Sequence, residues 1–240
     1  MNPEINMITI IIPTYNEKEN LPVLINSIFD VLHEHFLQGE IIIVDDNSPD
    51  GTGKVADELS LKYNSIKVLH RKGKEGLSSA VMEGFKHAGG EIVGVMDADL
   101  SHPPEVIPDL VKPILDGNSE FLIASRYKKN EKIEKWPITR KITSFVATIL
   151  AKPLTKVSDP MSGFFFFRRN IIDGVELSPI GYKIMLEILV KGKYDRAKIL
   201  EIPFTFRDRY KGKSKLNWKE HLNYMKHLFR LYVFTIKKFI

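Results

Sequence analysis

The 240-residue chain contains no cysteine. That excludes disulfides and thiolate metal sites, and it favours a reducing, intracellular setting. The opening stretch MNPEINMITIIIPTYNE has neither a basic n-region nor a small-residue cleavage site, so no secretory signal is expected. No uncharged apolar run reaches the roughly 18–20 residues needed to span a bilayer. Repeats, low-complexity segments and Gly/Ser linkers are missing too. One large domain, or one with a short appendage, is the organisation left open. The seven histidines show no metal-ligand spacing.

What is present reads as globular: 43% hydrophobic and 27% charged residues support a packed core rather than disorder. The net charge of +5 is unevenly placed. Residues 207–240 carry ten Lys/Arg against two acids, a balance of +8, which leaves −3 over residues 1–206. Anionic partners are therefore to be sought at the C-terminal end: phosphates, acidic lipid head groups or nucleic acid.

Short β-branched runs alternate with helical patterns. Strands are expected at 7–13, 40–46, 65–71, 91–97 and 120–126, and helices at 20–37, 53–63, 76–88 and 104–117. Such alternation predicts a mostly parallel sheet with helices on both faces. After residue 126 the rhythm changes. A polar, basic stretch (127–141) reads as a loop and ITSFVATILAKPL as a helix. SGFFFFRR suggests a core strand, antiparallel at the sheet edge. GYKIMLEILVKG reads as a short amphipathic helix and AKILEIPFTFRDR as a last strand. In the closing segment Leu222, Met225, Phe229, Tyr232, Ile236 and Phe239 recur at helical spacing among lysines and arginines. This helix either packs on the domain, lies at a membrane interface, or does both with different faces.

Ligands of open parallel sheets bind beyond the carboxyl ends of the strands. Four polar clusters fall there: Pro13–Glu17, Asp45–Ser48, Asp97–Asp99 and Ser125–Tyr127. Each alone has a plainer reading; DDNSPDGT, for instance, suits an Asx-type turn followed by a helix cap. Their convergence on one rim is the stronger signal. Asp97 and Asp99 share a strand face if the strand continues. Carboxylates so close repel, and a hard divalent cation such as Mg²⁺ or Mn²⁺ offsets that repulsion.

The segments IIIPTYNEKENLP, IIIVDDNSPDGT, EGLSSAVMEGFKHAGGEIVGVMDADLSHPPE and LIASRY follow in order and at matching spacing. Together they resemble the family-two glycosyltransferases of the GT-A fold. DPMSGFFFFRR and FRDRYKGKSKL extend the resemblance to the dolichol-phosphate mannose synthase catalytic domains, over residues 7–216. The resemblance implies a Rossmann-like GT-A domain over 1–216, followed by an amphipathic, membrane-interface helix over 217–240. It implies a nucleoside pocket lined by Pro13, Tyr15 and Glu17, with Val44 and Asp46 opposite. Asp97, Ala98 and Asp99 border the diphosphate, and Asp97, Asp99 and Ser101 surround the metal. Ser101 stands where the family usually has glutamine. Arg126, Arg209 and Lys215 match phosphate-contacting positions, and Arg140 matches an arginine facing the acceptor phosphate. KGKSKLN reads as a flexible cover over the donor. His102 adjoins the aspartates without an assigned catalytic role.

The implied activity is metal-dependent, inverting transfer of mannose from GDP-mannose to dolichyl or another polyprenyl phosphate, at the cytoplasmic face of a membrane. Asp99, Arg126 and Arg140 are the expected catalytic residues. A UDP-glucose donor, or a sugar-alcohol acceptor, is the nearest rival. A non-catalytic module binding acidic lipid or nucleic acid through the basic tail would leave the strand-end acids unexplained, so nucleic acid is not an expected partner.

Overall fold

The computed structural model describes residues 7–127, 138–206 and 218–239. In chain order these form β1 (Ile8–Thr14), α1 (Leu21–Glu34), β2 (Gly39–Asp45), α2 (Thr52–Lys62), β3 (Ile66–His70), α3 (Leu77–His87) and β4 (Ile92–Val95). There follow α4 (Ile107–Leu115), β5 (Phe121–Ser125), α5 (Ile138–Ala151), β6 (Phe165–Arg168), α6 (Ile184–Lys191), β7 (Ile199–Pro203) and α7 (Trp218–Phe239). Seven strands make one sheet in the order β3-β2-β1-β4-β6-β5-β7. All neighbours run parallel except β6, which is antiparallel to both β4 and β5.

The isoleucine runs in β1 and β2 are continuous because both faces of the sheet are covered. Ile10, Ile12, Ile41 and Ile43 pack toward α1, α2 and α4. Ile11, Ile42 and Val44 pack toward α3 and α6. Phe164–Phe167 divide in the same way, Phe164 and Phe166 to one core and Phe165 and Phe167 to the other. Gly94 of β4 is paired with Phe166, and an added Cβ there would lie 2.1 Å from the Phe166 ring. The residue at this register position must therefore lack a side chain.

Three expectations change. The antiparallel phenylalanine strand is internal rather than at the edge; β6 is hydrogen-bonded on both flanks, which suits four fully buried rings, and β7 takes the edge. The helix α6 is not amphipathic in place: Ile184 to Val190 are all buried, Glu187 included, because α7 covers its outer side. In α7 the residues that pack are Tyr224, Leu228 and Leu231, at i, i+4 and i+7. Of the expected stripe, Leu222, Met225, Phe229 and Ile236 are exposed, whereas Tyr232 is partly buried against that core. Tyr224 and Tyr232 donate to the Ala147 and Leu150 carbonyl oxygens, at 2.6 and 2.7 Å, and so seat α7 on α5. The neighbouring helix α5 also exposes Phe145, Val146 and Ile149. No helix among the described residues is long and apolar enough to cross a membrane.

Candidate active site

Three strand ends turn through left-handed residues: Asn16 after β1, Asn47 after β2 and Leu100 after β4, with φ of 56, 58 and 62°. Asparagine tolerates this region and leucine does not, so Leu100 marks local strain of about 1–3 kcal/mol at the aspartates. The turns are held by side chains. Beyond β1, the Glu17 amide donates to Thr52 Oγ1 at 2.9 Å, and Asn20 Nδ2 donates to Glu17 Oε2 at 2.6 Å.

The adjacent acids after β2 do different work. Asp45 accepts from Thr14 Oγ1 and from the Ser48 amide and hydroxyl, which is the local turn expected from composition. Asp46 instead accepts from Arg71 Nη1 and the Glu75 amide, at 2.8 and 2.9 Å, and from the Gly76 amide at 2.8 Å. It thereby fixes the 71–76 loop at the cavity rim. Arg71 also pairs with Glu75. From this loop Lys74 reaches back, its Nζ 3.8 Å above the Tyr15 ring.

At the end of β4 the Asp97 amide donates to His102 Nδ1 at 3.0 Å, which places the ring proton on Nε2, 4.0 Å from Asp97 Oδ2. His102 is buried, stacked on Phe164 and edge-on to Phe204 and Phe206. Burial holds its pKa below the ordinary histidine value against the pull of Asp97 and Asp99, so it is a neutral brace for this turn. Asp99 is 3% exposed and accepts from the Ser101 amide at 3.1 Å and the Ser101 hydroxyl at 2.6 Å. Ser101 thus orients the Asp99 carboxylate.

Arg126, just past β5, donates its Nε and Nη2 to the two oxygens of Asp159, both at 2.7 Å, and its amide donates to the same carboxylate at 3.0 Å. Burial works to raise the Asp159 pKa, but the charge and hydrogen bonds of Arg126 outweigh it and hold the carboxyl below its usual range. For Arg126 burial works downward, and Asp159 reverses the sign. The fork fixes the plane of the guanidinium.

Pro13, Tyr15, Glu17, Asp46, Asp97, Ala98, Asp99, Ser101 and Arg126 line one cavity of about 210 Å³. Val44 does not: it shares a strand face with Asp46 but sits one pleat below the rim, inside β2, where α3 buries it fully. Arg140 belongs to α5, but its side chain lies outside the described residues, as do Arg209, Lys215, the KGKSKLN segment and 128–137 of the expected loop. The same cavity is lined by residues that pattern reading passed over, among them Lys74, Gly163, Tyr182 and Lys183. The signal for Lys183 was a lone cation before a stretch that is apolar except for Glu187. For Asp159, the partner of Arg126, it was an acid opening the DPMSGF segment.

Two carboxylates and a hydroxyl are hard oxygen donors, and they fit a divalent cation of the Mg²⁺ or Mn²⁺ kind. Gly163 lies against Asp97, where a Cβ would sit 3.2 Å from Asp97 Oδ2 and crowd that carboxylate. Among the described residues no group of three or more His, Asp or Glu converges as a metal site. Asp97 and Asp99 would therefore leave coordination positions for substrate oxygens and water.

Comparison with known proteins agrees with this architecture. Residues 9–175 match the family model Glycosyl transferase family 2. The chain is 50% identical over 228 residues to the dolichol-phosphate mannosyltransferase of Pyrococcus furiosus, spanning 93% of this chain and 63% of that protein's length. It is 39% identical over 234 residues to the dolichol-phosphate mannosyltransferase of Saccharomyces cerevisiae, covering 94% of this chain and 87% of the relative. Among solved structures, glucosyl-3-phosphoglycerate synthase from Mycobacterium tuberculosis, in complex with Mn²⁺, UDP-glucose and phosphoglyceric acid, superposes with a TM-score of 0.70 at 18% identity. That match covers 96% of this chain and 79% of the synthase, and it supports the fold. The chain is an enzyme of glycosyl transferase family 2 and belongs, with these relatives, to its dolichol-phosphate mannosyltransferase group.

Proposed function

We propose that the chain transfers mannose from GDP-mannose to dolichyl or another polyprenyl phosphate, with inversion and with a divalent cation, at the cytoplasmic face of a membrane. The observation that carries this reading is the meeting of Asp97, Asp99 and Arg126 in one cavity of a dolichol-phosphate mannosyltransferase relative. A bound Mg²⁺ or Mn²⁺ would neutralise the diphosphate as it leaves.

Tyr15 offers a ring face for the nucleoside, with Pro13, Glu17 and Asp46 around it. Arg126, its plane set by Asp159, supplies a fixed guanidinium for phosphate oxygens. Arg140, Arg209 and Lys215 are further proposed phosphate contacts. A lipid phosphate is already largely dianionic near pH 7, so no general base is required. Its oxygen attacks the anomeric carbon, the bond to the diphosphate breaks, and the electron pair departs with GDP. Attack from the opposite side gives a β-linked product from an α-linked donor. His102, neutral and packed among phenylalanines, does not enter this scheme as an acid or base.

The exposed apolar residues of α5 and α7, with Lys219, Lys226, Lys237 and Lys238 on the latter, suit attachment to a membrane surface. The test is a panel of labelled sugar nucleotides with Mn²⁺ and polyprenyl phosphate. GDP-mannose should give the labelled lipid; labelling from UDP-glucose alone would replace the donor assignment.

A further inference from the structure

Lys183 stands immediately before α6, and its side chain lines the same cavity as Asp97, Asp99 and Arg126. Its surroundings under-supply an ammonium group. Lysine brings three N–H donors. Among the described residues the group makes one long hydrogen bond, 3.4 Å to the Met161 carbonyl oxygen, and no ion pair. Asp159 is the nearest source of compensation, but both its oxygens already receive Arg126. Lys183 is thus a cation beside an arginine–carboxylate pair that is balanced without it. Burial, with Arg126 adding repulsion, pulls its pKa down to about 8 in spite of Asp159 and Asp97. A charged group left so poorly compensated is completed by an incoming anion.

Position narrows which anion. Tyr15 and Lys74 mark the nucleoside end of the cavity. Lys183 lies at the margin where the chain meets α7: a Cβ on Gly181, two residues before it, would come within 2.8 Å of Glu220 Oε2 and 3.2 Å of Asn223 Cβ. The turn of α7 touched there continues into exposed Leu222 and Met225. A lipid lying along those residues delivers its head group to this margin.

We propose that Lys183 binds the phosphate monoester of the acceptor, separately from the groups that hold the donor. The proposal rests on the polyprenyl-phosphate reading above. Lys183 donates to a phosphate oxygen and holds it while another oxygen of the same phosphate attacks.

The experiment uses the full chain as wild type, Lys183→Met and Lys183→Arg, with Mn²⁺, labelled GDP-mannose and the short-chain citronellyl phosphate as acceptor. Loss of one charge-assisted hydrogen bond predicts a rise in acceptor KM of about ten- to hundredfold for Lys183→Met. The Kd for GDP-mannose, measured calorimetrically, should stay within about twofold, and Lys183→Arg should recover most of the acceptor affinity. Thermal unfolding of Lys183→Met should occur at the wild-type temperature or above, because an under-compensated cation has been removed. An unchanged acceptor KM refutes the proposal, as does an equal rise in donor Kd. A lowered unfolding temperature with normal acceptor KM would make Lys183 structural and also refute it. If wild type labels no polyprenyl phosphate from any donor, the acceptor reading itself fails, and the assignment of Lys183 fails with it.

Discussion

Replacing Asp159 with asparagine removes one charge and almost no volume. In the wild type this carboxylate is fully buried and takes three hydrogen bonds from Arg126, two of them at 2.7 Å in a fork. The Arg126 side chain is itself only 11% exposed. Asparagine keeps one acceptor oxygen and turns an NH₂ group toward the guanidinium, taking from a buried cation the carboxylate to which it is forked. Breaking such a pair from one side costs about 3–5 kcal/mol. A domain of this kind has about 5–15 kcal/mol in total, so the loss is a large share. Urea unfolding at pH 7 measures it. The double variant Arg126→Met, Asp159→Asn should lose less than the two single losses added, because both members of the buried pair are removed together. The pH dependence carries the same signature. The folded-state pKa is depressed, so this stabilisation is present above the unfolded value near 3.8 and disappears as pH falls through the lower folded value. Asp159→Asn should lack that acid limb. A single-variant loss below about 1 kcal/mol, or strict additivity in the double variant, would refute the pairing argument.

Three further outcomes follow from other parts of the molecule. Burial lowers the Lys183 pKa from its ordinary value of 10.5 to about 8 in the folded chain, so the unfolded chain binds more protons between these values. Stability should therefore rise with pH across that window, and urea unfolding of Lys183→Met should show a flatter profile. Gly94→Ala would place a methyl group 2.1 Å from the buried Phe166 ring, and a destabilisation of about 3 kcal/mol is expected by the same measurement. Met225→Ser with Phe229→Ser, both exposed in α7, should leave the unfolding midpoint almost unchanged while weakening flotation with anionic vesicles.

The parts legible in the sequence were those governed by local pattern. Continuous β-branched runs announced strands covered on both faces, and β1 to β5 fall within a residue or two of their expected positions. The strand-end acids were visible because a sheet delivers every strand's carboxyl end to one rim, so Asp46, Asp97 and Asp99 needed no long-range information to be grouped. Whatever depended on distant partners stayed hidden. The place of β6 is decided by pairing with both β4 and β5, which no local window contains. Helical spacing in α7 identified an apolar stripe but not which face the body would cover, since that depends on the tyrosine contacts to α5. The Arg126–Asp159 fork joins residues 33 positions apart, and Lys183 enters the cavity only because α6 starts beneath it. Val44 shows the opposite error: Asp46, two residues on, reaches the site, whereas Val44 lies deeper in the strand and is buried in the core.

The central claim is that Asp97 and Asp99 present a cation-bound sugar nucleotide to a lipid phosphate. Transfer of label from GDP-mannose to polyprenyl phosphate, with and without Mn²⁺, in wild type and Asp99→Ala, tests it most directly. The expected result is labelled lipid from wild type only when the metal is present, and none above background from Asp99→Ala. Full transfer by Asp99→Ala, or wild-type transfer undiminished by chelation, would contradict the account.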